Sequence, residues 1–82
     1  MGMALKAAFI FVAPEADARK HRAVVNTPEV ELTVVGVKDY QMATEAAKEL
    51  VNEGVGAIEL CGGFGIEGTA AVKKAVDGKA VV

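Results

Sequence analysis

The sequence predicts a small α/β domain, a two-layer or three-layer sandwich of about four mostly parallel strands with two to three helices. Three observations carry that expectation. Apolar stretches of strand length recur at Lys6–Ala13, Glu31–Val37 and Gly56–Cys61. Two segments with apolar residues at helical spacing lie among them, one before Gly56 and one after Cys61. Strands that alternate with helices imply a largely parallel sheet joined by right-handed crossovers. At 82 residues the chain, residues 1–82, is one domain.

The first strand, Lys6–Ala13, contains Phe9, Ile10, Phe11 and Val12 without a polar break, as expected of a strand covered on both faces. Pro14 ends it and can open a helix, because its missing N–H is one of those left free at a helix start. Glu15 and Asp17 suit a first helical turn, so a short helix over about Glu15–Val24 is expected, broken by Asn26-Thr27-Pro28.

Glu31–Val37 is rich in β-branched residues and reads as the second strand. Asp39 then stands at an N-cap position. Ala43, Ala46, Ala47, Leu50 and Val51 form one stripe, with Glu45, Lys48, Glu49 and Asn52 outside it and Gly54 as the C-terminal cap. Gly56–Cys61 is the third strand, in which alternation sets Ile58 and Leu60 on one face and Glu59 and Cys61 on the other. A helix from about Ile66 to Val76 follows, closed by Gly78, and Ala80-Val81-Val82 begins a final strand.

Composition bounds the function. The chain is 52% hydrophobic and 24% charged, with a mean hydropathy of +0.34, and most of its apolar residues are small. A thin core with excess apolar surface favours self-association, so a homo-oligomer is expected. Nine basic against eleven acidic residues give a net charge of −2, without the basic face of a nucleic-acid binder. The one concentration, Arg19-Lys20-His21-Arg22, reads as a solvated helix face. One cysteine excludes an intrachain disulfide, and with one histidine beside it no metal site is expected.

Read as a leader, the N-terminus offers Lys6 and then Ala7–Ala13, an apolar run far too short to span a bilayer. Gly2 lacks the Ser or Thr at residue 6 that myristoylation requires. A cytoplasmic location without a membrane partner is expected.

Leu32-Thr33-Val34-Val35-Gly36-Val37, the Ala- and Glu-rich helix, and Gly54 leading into Ile58-Glu59-Leu60-Cys61-Gly62-Gly63-Phe64-Gly65 together resemble a family of short prokaryotic α/β proteins of unknown function. ELCGGFG is the most specific part of that resemblance, which implies the fold and no activity. The resemblance implies a chain that runs somewhat further past the last strand, so whether the strand beginning at Ala80 is complete stays open.

The stretch Glu59–Gly68, ELCGGFGIEG, holds one cysteine and four glycines. Gly63, Gly65 and Gly68 spell G-x-G-x-x-G between a strand and a helix. The chain supplies neither a second βα unit nor an acidic residue about 20 positions on, so a dinucleotide is not expected and no cofactor is assigned. A smaller anion remains open: the N–H groups of Gly63, Phe64, Gly65 and Ile66, with Gly62 beside them, would face a phosphate or carboxylate of a small metabolite at the helix N-terminus. A purely structural account is equally open, with Gly62 and Gly63 supplying positive φ and Gly68 close helix–sheet packing.

Cys61, just before a helix N-terminus, is a candidate nucleophile or a buried core residue. His21 would serve it as base only if the fold returned it there. Glu59 in an apolar strand is a ligand-facing acid or a general base, or else it lies on an edge strand or pairs with Lys38 or an arginine of the first helix. Phe64 is expected as a flap over a pocket or as an oligomer contact. Whether the protein is an enzyme stays open at this point.

Overall fold

A computed structural model describes residues 4–82; Gly2, considered above for lipidation, lies outside them. The chain forms strands β1 (Leu5–Val12), β2 (Arg22–Asn26) and β3 (Val30–Val37), helix α1 (Tyr40–Asn52), strand β4 (Ala57–Leu60), a single 3-10 turn (Gly62–Phe64) and helix α2 (Gly65–Val76). The sheet runs in the order β2-β3-β1-β4. β1 is parallel to both β3 and β4, and β2 is antiparallel to β3. The small, mostly parallel α/β fold is therefore as expected.

The segment after Pro14 is not the expected helix. Glu15 adopts φ 63°, a left-handed conformation that stops a right-handed helix at once. Side chains then take the backbone donors that a helix would use. Asp17 Oδ1 accepts from the Arg19 N–H at 2.8 Å, and His21 Nδ1 accepts from the Asp17 N–H at 2.9 Å. Released from helix, Ala23-Val24-Val25 pairs with β3. Thr27 Oγ1 accepts from the N–H groups of Glu29 and Val30, closing the β2–β3 hairpin where a helix break was expected. The Arg19–Arg22 run is thus a turn and a strand start.

α1 follows its sequence signals closely. Asp39 Oδ1 accepts from the Met42 N–H at 2.8 Å, and Ala43, Ala46, Ala47 and Leu50 are buried. Gly54, at φ +103°, reverses the chain while its N–H donates to Val51 O and that of Val55 donates to Leu50 O. That pair of bonds is the Schellman closure, and Leu50 and Val55 both join the core. The C-terminal segment contributes one parallel bridge, Val81 to Ala57, rather than a strand; the fourth strand is β2.

Register shows which face is covered. Ala8, Ile10 and Val12 of β1 are level with Thr33, Val35 and Val37 of β3, and Ala8 and Ile10 with Ile58 and Leu60 of β4. Apart from Thr33, these residues build the core with Ala43, Ala47, Leu50, Phe64, Val72 and Val76 of the helical layer. The other face carries Leu5, Phe9, Phe11, Leu32, Val34 and Val25, with no helix over it among the described residues. The domain is two-layered, and β1 is covered on one face rather than two.

Candidate functional site

β4 ends at Leu60, level with Ile10 and two residues short of the end of β1, and the Cys61 N–H donates to Ile10 O at 3.2 Å. The chain then turns tightly, with the Phe64 N–H donating to Cys61 O and the Gly65 N–H to Gly62 O. Gly65 sits at φ 57°, ψ −166°, a region open essentially to glycine alone. That conformation lets α2 start while Phe64 is driven into the core, where it is 1% exposed. Phe64 is therefore neither a flap nor an oligomer contact.

Tyr40 of α1 stacks on Phe64, and its hydroxyl donates to Gly63 O at 3.1 Å. A Cβ at Gly68 would lie 2.8 Å from the Tyr40 ring and 3.0 Å from that of Phe64. Gly68 thus admits close packing, as expected, but against these two rings.

Gly62 and Gly63 have different credentials. Neither adopts positive φ, which corrects their expected role as turn glycines; Gly65 has that role instead. A Cβ at Gly62 would meet nothing within 4 Å, and one at Gly63 would make only ordinary contact with Cys61 Sγ at 3.5 Å and Val12 Cβ at 4.0 Å. Their N–H groups donate to no acceptor among the described residues. Both lie exposed beyond the carboxyl ends of parallel β1 and β4, before the 12-residue α2. Loops at that end of an α/β sheet are where ligands usually bind. Of the five residues expected to line an anion site, Phe64 and Gly65 spend their N–H groups inside the turn. Glu67, in the first turn of α2, already complements the helix dipole.

The remaining sequence candidates are dispersed. Cys61 is half-buried and packs against the core cluster. Glu59 is exposed on the uncovered face, level with Phe9, so no burial cost attends its charge. It is not ion-paired with Lys38 or an arginine among the described residues, where the ion pair is Arg19–Glu49 at 3.9 Å. His21 directly precedes β2, the strand at the opposite edge from β4, with β3 and β1 between. The fold does not bring it to Cys61.

One comparison bears on all of this: residues 5–82 match a family of unknown function, DUF6506. The chain belongs to that family. No characterised protein and no solved structure gives a significant match. Membership in DUF6506 fits the resemblance to proteins without an assigned activity and leaves the site to be judged on its geometry.

One feature of this DUF6506 chain was hidden in the sequence. The Pro14–His21 turn folds against α1 and leaves a cleft of about 310 Å³ between Arg19 and Arg22 on one side and Glu45 and Glu49 on the other, with Met42 and Ala46 among its lining. The backbone N–H of Arg19, helped by the charge of Lys20, holds the Asp17 carboxyl below its ordinary value. The signal available in the sequence was the mixed-charge run ADARKHR, which reads as a helix face until Glu15 is known to be left-handed. Among the described residues no helix is long and apolar enough to cross a membrane.

Proposed function

We propose that the protein binds a small anionic ligand, bearing phosphate or carboxylate, at the Gly62–Gly68 strand-to-helix loop. One observation carries this reading. Among the described residues Gly62 and Gly63 present consecutive, unpartnered N–H groups, and nothing there requires either residue to be glycine. Bare backbone with free donors at a strand-to-helix turn is the arrangement that lets an anion approach closely. Gly62 and Gly63 donate, Gly65 shapes the turn, and Phe64 with Tyr40 anchors it from beneath. Ile66, 89% exposed beside the glycines, offers an apolar contact for the body of the ligand.

Thermal unfolding against inorganic phosphate and a panel of phosphate- and carboxylate-bearing metabolites tests the reading. At least one should raise the melting temperature, and Gly62→Val should remove the shift while leaving the unliganded protein folded. Glu67→Gln should tighten binding about two- to fivefold, because it removes a like charge from the same helix end. The absence of any shift across the panel would sink the proposal.

A further inference from the structure

The two edges of the sheet differ, and the difference is independent of the glycine loop. At the β4 edge the C-terminal segment takes outward groups: the Ile58 N–H donates to Val81 O at 2.7 Å and the Val81 N–H to Gly56 O at 3.0 Å. At the β2 edge nothing does so among the described residues. The ladder fixes which groups of β2 are left over. The Thr27 N–H donates to Val30 O and the Gly36 N–H to His21 O, so Ala23 and Val25, at the same parity, bond to β3. Arg22, Val24 and Asn26 therefore direct both N–H and C=O away from the sheet. The register is unbroken, and β2 has no proline, lysine or bulge, the features that usually keep a bare edge from pairing. Its side chains carry a second, separate sign. Val24 lies on the helix side of the sheet, level with Thr33, and Val25 on the open face, level with Leu32. They are 53% and 52% exposed. A partner lying on one face would cover one valine and leave the other wet, whereas a strand added at the edge flanks both.

We infer that β2 pairs antiparallel with the β2 of a second copy of the chain, making a homodimer with one continuous sheet, β4-β1-β3-β2-β2-β3-β1-β4. A two-fold axis through Val24 sets that residue opposite itself, Arg22 opposite Asn26 and Ala23 opposite Val25. In this register each outward N–H of one copy meets an outward C=O of the other, as a self-complementary contact requires. The cross-strand pairs agree with it: apolar meets apolar, the arginine meets an amide, and no charge faces its like. The neighbouring registers are poorer. Setting Val24 opposite Asn26 places Arg22 against Pro28, which has no N–H to give. Setting Val24 opposite Arg22 carries Asn26 past the end of the other strand.

Sedimentation equilibrium at micromolar concentration should show a dimer, and amide hydrogen exchange should locate its contact. The N–H groups of Val24 and Asn26 should exchange slowly while the dimer is populated and fast once dilution dissociates it. Those of Ala23 and Val25, bonded to β3, should stay protected in both states and serve as the internal control. Val24→Pro should raise the dissociation constant about tenfold or more, because the ring removes a donor that only the second copy uses. An outward-facing edge position tolerates proline, so the variant should keep the wild-type circular dichroism spectrum. Leu5→Lys, on the open face, should leave the dissociation constant unchanged. A wild-type monomer would overturn the inference. So would a dimer whose Val24 and Asn26 amides exchange as fast as in the monomer, and loss of that dimer in Leu5→Lys would move the contact to the open face.

Discussion

Tyr40 lies nearly flat on Phe64, with ring centroids 5.7 Å apart and planes 20° from parallel, and so ties the first turn of α1 to the turn that opens α2. The hydroxyl's bond to Gly63 O fixes the far end of the ring. Two helices and the glycine loop are thereby held at one point, and Gly68 is the residue that leaves room for it.

Gly68→Ala should destabilise the protein by about 1–2 kcal/mol, although alanine is the better helix former by about 1 kcal/mol, because the added methyl overpacks both rings. Chemical denaturation would measure it. Combining the change with Tyr40→Ala should recover part of the loss, giving a non-additive pair. A stabilising Gly68→Ala would show that the rings move aside freely.

Phe64 is the largest fully buried side chain of the described core. Phe64→Ala should cost about 3–5 kcal/mol, a large fraction of the stability available to so short a chain. Loss of the cooperative thermal transition at moderate temperature would be the readout, and retention of a near-wild-type midpoint would contradict the placement.

The glycines of the loop should separate by role. Gly65→Ala should cost about 1–3 kcal/mol, since its backbone conformation is closed to other residues. Gly62→Ala should stay within about 0.5 kcal/mol of wild type, as an exposed site with ordinary backbone and open space around it. Equal losses at the two positions would remove the case that Gly62 serves something outside the chain.

Asp17 sets a pH dependence with a defined sign. Its folded carboxyl is held below the ordinary 3.8, chiefly by the Arg19 N–H. The stabilisation of the Pro14–His21 turn is therefore fully present above 3.8 and is lost as pH falls through the lower folded value. An NMR titration of the Asp17 carboxyl should give a midpoint below 3.8, and Asp17→Asn should lose its difference from wild type in strong acid. A midpoint at or above that value would contradict the turn geometry.

What could be read from the sequence was local. α1 announces itself through Asp39, the alanine stripe and Gly54, all within one short segment. β1, β3 and β4 appear as apolar runs, and the site region stands out by its glycines. β2 is masked in the sequence because Pro14, Glu15 and Asp17 imitate a helix start, whereas the pairing of Ala23–Val25 with Leu32–Val34 depends on a hairpin closed by Thr27. Gly65, rather than Gly62 or Gly63, took positive φ because Phe64 had to point into a core built by distant residues. The open face was invisible for a simpler reason. Phe9 and Phe11 are as apolar as Ile10, so alternation cannot tell a face beneath helices from one left bare.

The order β2-β3-β1-β4 also constrains how the chain assembles. β1 is the central parallel strand, yet it precedes both of its neighbours: Leu5 waits for Val30 on one side and Ala7 for Ala57 on the other. Its backbone groups stay unpaired until β3 and β4 have been synthesised. Such long-range parallel pairing is slow to form and exposed to aggregation while it waits. Fragments ending before β4 would keep one long apolar edge of β1 unprotected. Vulnerability during biogenesis is therefore concentrated in β1, which waits for both β3 and β4.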